Sequence, residues 1–172
     1  MPIYHVSDQP GIARFEPRPS PTPHPSAPNP VVWAVADQLL HNYLLPRDCP
    51  RVTFYPGPES TPEDVDRLLA GTSASHVVAI ESGWLERVRS ARLYLYEVPE
   101  ATFRPIDPGA GYLVSDETVE PIGVEVVDDV LGALVGRGVE VRVMPSLKKL
   151  RDAVVASSLK FSIIRWRNAA DA

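Results

Sequence analysis

Apolar positions along this chain fall into short runs, most of them rich in Val, Ile, Phe and Tyr. Short β-branched and aromatic runs bounded by Gly, Pro, Asn or Asp predict strands. On that rule residues 2–7, 31–35, 51–55, 76–80, 91–98, 139–143 and 161–166 are strands, and 102–105, 112–115 and 121–126 supply further strands or edges. Alternation is clean in 91–98, with Leu93 and Leu95 on one face and Tyr94 and Tyr96 on the other. Helices are fewer. Thr61-Pro62-Glu63-Asp64 combines an N-cap hydroxyl, a proline at the first helical position and acids in the first turn, so a helix runs from there to about residue 70 and ends at Gly71. Asp37 reads as the cap of a helix over 38–45 that Pro46 stops. Residues 82–88 form a short helical turn and 128–135 a helix, while Ser146 caps the last long helix over 147–157. Strands outnumber helices in an irregular order, which predicts a single α+β domain over residues 1–172 with mostly antiparallel strands.

One stretch interrupts this pattern. Residues 17–30 hold seven of the chain's 19 prolines. Proline fixes φ and lacks a backbone N–H, so the segment is neither helix nor central strand. It reads as an extended, mobile loop, because too few residues precede it to build a core of their own.

Composition narrows the class without naming a function. At 172 residues, 44% hydrophobic and 23% charged, the chain has the make-up of an ordinary globular domain. No apolar run approaches the ~20 residues that span a bilayer, and the first residues lack the pattern of a signal peptide. A lone cysteine, Cys49, leaves no internal disulfide framework and fits a reducing compartment. A cytoplasmic protein with no membrane association is the expectation. The net charge of −5 argues against a dominant nucleic-acid role, since phosphate binding normally shows as a basic balance. Oligomeric state is not legible at this level.

Candidate chemistry sits on or beside the strands. His5 and Ser7, two apart on a strand, share a face and read either as a pair reaching a ribose or phosphate, or as a half-buried histidine with a satisfied hydroxyl. Arg47 and Arg51 flank Cys49 among prolines; an arginine fork suits phosphate or carboxylate, though solvated arginines beside a helix stop are as ordinary. Cys49 between them is a candidate nucleophile. Tyr94 offers a stacking surface, and Arg165 and Arg167 place charge on an apolar final strand that then needs carboxylates or a cleft. Phosphate-cradling glycine loops, dinucleotide fingerprints, zinc-site spacings and nucleophile elbows are absent from the sequence, so no metal site and no common hydrolase or kinase chemistry is expected.

Two resemblances add to this. The segments Tyr4-His5-Val6-Ser7, Phe15-Glu16-Pro17-Arg18-Pro19, Val32-Trp33-Ala34, 45–51 and 157–169 resemble a bacterial family of uncharacterised proteins, a domain of unknown function, over nearly the whole chain. More remotely, a first strand with Tyr-His-x-Ser, a Val-Trp-Ala strand, a helix bearing a tyrosine and a Tyr-x-Tyr-Glu strand are similar to small ADP-ribosyltransferase-like folds. That resemblance implies an NAD cleft, with His5, Ser7 and Tyr43 about the nicotinamide riboside and Arg47 or Arg51 at the diphosphate. Glu117 is displaced from the family's acidic position, which here holds Gly111 to Ser115. The reading is a protein that binds a nucleotide-like ligand of the NAD or ADP-ribose type, with His5, Tyr43 and Glu117 as catalytic candidates and Ser7, Arg47, Arg51, Tyr94 and Arg165 as binding candidates; whether it is an enzyme stays open. The alternative is a non-catalytic binding module for a small anionic metabolite or a protein partner, with the proline-rich loop as a lid or a presented peptide.

Overall fold

The computed structural model describes residues 1–20 and 24–170. In chain order its strands are β1 (Ile3–Ser7), β2 (Val32–Ala36), β3 (Arg51–Tyr55), β4 (His76–Glu81), β5 (Leu93–Val98), β6 (Arg104–Asp107), β7 (Tyr112–Ser115), β8 (Gly123–Val127), β9 (Val139–Met144) and β10 (Lys160–Ile164). The helices are α1 (Pro62–Leu69), α2 (Leu85–Arg89), α3 (Val130–Gly136) and α4 (Lys148–Val155). The fold is α+β, with two mostly antiparallel sheets. The chain divides into two compact units, one built from Met1–Leu44 and Arg92–Asp128, the other from Leu45–Ala91 and Asp129–Ala172.

The first unit is a six-stranded antiparallel sheet in the order β6-β7-β2-β1-β5-β8. Registers such as His5↔Tyr96 and Tyr96↔Val124 place directly opposed residues on one face. Ile3, Val32, Ala34, Tyr96 and Val98 form a core on that face beneath Phe15 and Val119, which pair with each other outside the sheet. The opposite face carries Tyr4, Val35 and Tyr112, linked by the pairs Tyr4↔Val35 and Val35↔Tyr112. The predicted helix over 38–45 is instead a six-residue 3-10 turn, Asp37–Asn42, entered from an extended Ala36 that donates no side-chain cap. No side chain caps its first turn, and it closes through a tight bond from the Tyr43 N–H to the Leu40 carbonyl at 2.9 Å.

The described part of the proline-rich segment is tied down. Arg18 bridges Val31, His24 bridges Ala27, and Ala27 is buried in a small cluster with Val31 and Val114. Residues 21–23, at the middle of the segment read as a mobile loop, lie outside the described residues.

The second unit is a four-stranded sheet in the order β10-β3-β4-β9, with β4 and β9 parallel. Val52, Phe54, Val77 and Ala79 from the sheet meet Leu68 and Leu69 of α1 and Leu150 and Val154 of α4 in one core. The α1 start is as the sequence predicts: Thr61 Oγ1 accepts from the Asp64 N–H, with Pro62 at the first position. The last helix starts at Lys148 and ends at Val155, with Ser146 Oγ accepting from the Lys148 N–H. The final strand is shorter than expected. It stops at Ile164 because Arg165 adopts φ 55°, ψ 33°, and the chain turns into a 3-10 segment, Trp166–Asn168. Arg165 and Arg167 therefore do not share a strand face.

Candidate functional site

Within the first unit, His5 is half-buried: its Nδ1 lies 2.8 Å from the Trp33 carbonyl and its ring sits 4.3 Å from that of Phe15. Ser7 is buried and accepts from the Gln9 N–H at 3.1 Å. Tyr94 opposes Ser7 in the ladder, on the same face. Glu117 is exposed just beyond β7, its N–H donating to Ser115 Oγ. Tyr43 packs on Tyr112 at 5.6 Å and its hydroxyl donates to the Ala110 carbonyl at 3.4 Å. Tyr112 belongs to the face opposite His5, so the sheet brings Tyr43 together with Tyr112 and not with His5.

In the second unit the arginines serve a loop. Arg51 is 3% exposed and its Nη1 donates to the carbonyls of Cys49 at 2.8 Å and Pro46 at 3.3 Å. Arg165 Nε donates to the Arg47 carbonyl at 3.0 Å, and Asn168 Nδ2 to the Asp48 carbonyl at 2.7 Å. Four consecutive carbonyls, from Pro46 to Cys49, thus receive side-chain donors. A partly buried turn without ladder partners needs such donors, since an orphaned carbonyl costs about as much as a lost hydrogen bond. Arg47 contributes its backbone here and leaves its side chain exposed. Burial pushes the Cys49 thiol up to about 11 against the pull of Arg51, and Glu81 adds to the rise. A thiol so held is protonated at neutral pH and is a poor nucleophile.

Four aromatic rings from four segments gather on the other face of the first unit. Trp33 of β2 meets Tyr112 of β7 edge-on at 5.2 Å, and His24 from the proline-rich segment lies 6.0 Å from Trp33 and 6.5 Å from Tyr112. Tyr43 adds the fourth ring against Tyr112. All four are half-buried, so ring surface remains open to solvent. The indole Nε1 is held by Ser20 Oγ at 2.9 Å. Arg104 of β6 opposes Val114, which opposes Trp33, and so lies on this same face. Its guanidinium is exposed and reaches the Ser26 carbonyl at 3.4 Å and the Asp116 carboxylate at 3.8 Å. Aromatic surface with an adjacent cation is what planar, anionic molecules require.

A model described as a family of unknown function, DUF6886, matches residues 4–169. The chain belongs to that family. No curated protein and no solved structure matches it. In this member of DUF6886, Arg51, Arg165 and Asn168 are the residues of segments 45–51 and 157–169 that donate to the carbonyls of 46–49. Among the described residues no group of three or more His, Cys, Asp or Glu side chains is arranged to hold a metal ion, and no helix is long and apolar enough to cross a membrane.

Sequence reasoning missed Trp33, Tyr112, His24 and Arg104 as a group. Each is unremarkable alone, and only the β2–β7 and β6–β7 registers bring them to one face. His24, the one aromatic side chain in the proline-rich segment, was the available clue.

Proposed function

We propose that this protein binds a nucleotide-like ligand, a planar base carrying an anionic phosphate, at the aromatic face of its first unit. The four-ring cluster of His24, Trp33, Tyr43 and Tyr112 carries the reading, because part of each ring stays open to solvent. Stacking one base on such rings is worth about 1–3 kcal/mol. Arg104 supports an anionic group beside the base: its exposed contacts are one carbonyl and one loosely held carboxylate, which a phosphate can displace. NAD and ADP-ribose have the right chemistry. The reading assigns binding and no bond-breaking step, and it gives His5 no ligand contact, since His5 lies on the other face.

Calorimetric titration with ADP-ribose, NAD and uncharged adenosine tests it. ADP-ribose should bind more tightly than adenosine. Tyr112→Ala should weaken all three by roughly tenfold, the loss of one stacking partner. Arg104→Gln should weaken ADP-ribose and NAD while leaving adenosine unchanged. Tyr43→Leu, at a less central ring, guards against a folding defect in Tyr112→Ala. Absence of binding at roughly 10 mM ligand, weaker than the millimolar range of small-ligand affinity, would remove the proposal.

A further inference from the structure

We infer that β8, the outer strand of the six-stranded sheet, is a docking edge for an extended, basic segment of another protein. β8 pairs with β5 on one side only, and its other side ends the sheet. Its register with β5 is unbroken over all five residues, without bulge or proline. The opposite edge, β6, is blunted by Pro105 and by a register shift between Pro105 and Asp107. An unprotected edge presents free N–H and C=O groups that a further strand can take up.

The side chains along this edge are also unusual. Ile122, Val124 and Val126 are 66%, 57% and 51% exposed and alternate onto one face. Three neighbouring aliphatic side chains left open on an edge strand mark an interaction surface more often than a random surface does. Glu125 points to the other face, opposite Leu95, where Glu97 follows two residues along β5 with its Oε2 close to Gly123.

Charge selects the occupant. From Pro105 to Gly136 the chain has seven Asp and Glu residues and neither Lys nor Arg. Near the edge, Glu120, Glu125, Asp128 and Asp129 are exposed, and among the described residues only Asp128 of these has a cation within reach, Arg92 at 4.0 Å. A second copy of this chain would bring the same carboxylates against these, which is unfavourable across a strand pair. A segment alternating aliphatic with Lys or Arg residues would set its apolar side chains beside Val124 and Val126 and its cations beside Glu125 and Glu97.

The test uses the full chain and a fluorescent synthetic peptide of alternating Val and Lys, long enough for one strand. Controls replace Lys by Glu or methylate alternate backbone nitrogens. The Val-Lys peptide should bind, more weakly at high salt, and should slow hydrogen exchange at Val124 to Val126. Glu125→Lys should weaken it about tenfold, and backbone methylation should abolish it. Val124→Thr, a mild change at an exposed site, should weaken it less and keeps the test valid if Glu125→Lys misfolds. Three results overturn the inference: no binding, equal binding of the methylated peptide, or a concentration-dependent dimer that Val126→Lys dissolves, which would make the edge a self-pairing surface.

Discussion

Cys49 and His76 show how burial dominates the chemistry of single residues here. With its thiol pushed up to about 11 and no exposed surface, Cys49 should not react with Ellman's reagent at pH 8 until guanidinium unfolds the protein. Rapid reaction of the native chain would show that the turn at 46–50 opens readily. His76, packed against Tyr55 with ring centroids 4.3 Å apart, is held below the ordinary histidine range by burial. Its neutral form is favoured in the folded state, so the unfolded chain takes up the proton first as pH falls. The contribution is complete above the unfolded value near 6.5 and is lost as pH drops through the lower folded value. Urea midpoints should therefore fall below about pH 6.5, and His76→Phe should flatten part of that slope. A slope identical in the variant would assign the pH dependence to other groups.

At the scale of elements, α1 is closed by two devices of different strength. Thr61 caps it, and Thr61→Ala should cost about 1 kcal/mol. Asp64 does more: beside its contact with Arg67, its Oδ2 accepts from both the N–H and the hydroxyl of Ser158 at 2.7 Å, tying α1 to the segment that leads into β10. Arg67 first, then Ser158, hold the Asp64 carboxyl well below the usual carboxylate range. Its stabilisation is present above the unfolded value near 4 and is lost as the solution is acidified below it. Asp64→Asn should lower the melting temperature more than Thr61→Ala at pH 7, and the gap should close under acid. At the other end of β10, Arg165 is, among the described residues, the one side chain other than glycine with positive φ. Arg165→Gly relieves that strain while losing the bond to the Arg47 carbonyl, so its stability should stay within about 1 kcal/mol of the parent. Arg165→Val, β-branched in the same conformation, should lose roughly 2 kcal/mol or more. Equal losses in a thermal melt would show that the hydrogen bond dominates and the backbone is unstrained.

For the whole molecule the controlling fact is that each unit is assembled from two separated stretches of chain. Ile3 pairs with Val98 and Phe161 with Phe54, so neither sheet closes until distant segments meet. Loop closure must precede these contacts, which makes such topologies slow to fold. The fragments 1–91 and 92–172 should each be unfolded by circular dichroism, because each holds only part of both sheets. Mixed from denaturant, they should regain strand signal together. A folded 1–91 fragment would mean that the pairs β1–β2 and β3–β4 hold without the remaining strands of their two sheets.

Most element positions were legible in the amino-acid order because they depend on local physics. The β-branched run 51–55 coincides with β3, and the Thr61-Pro62 start specifies α1 through its own backbone N–H groups. The Tyr94/Leu95 alternation follows from the two-residue period of any strand. The predominance of strands, hence the α+β class, also followed from the number and order of those runs. What the order could not supply is partnership. Positive φ at Arg165 accompanies its bond to the Arg47 carbonyl, over a hundred positions away, and ends the apolar run that predicted a longer strand. The separation of His5 from Tyr43, and the gathering of Trp33, Tyr112, His24 and Arg104 on one face, depend on which strands pair and in what register. A shift of one residue in any of those pairings would exchange the two faces, and only the packed cores on both sides of the sheet select the register.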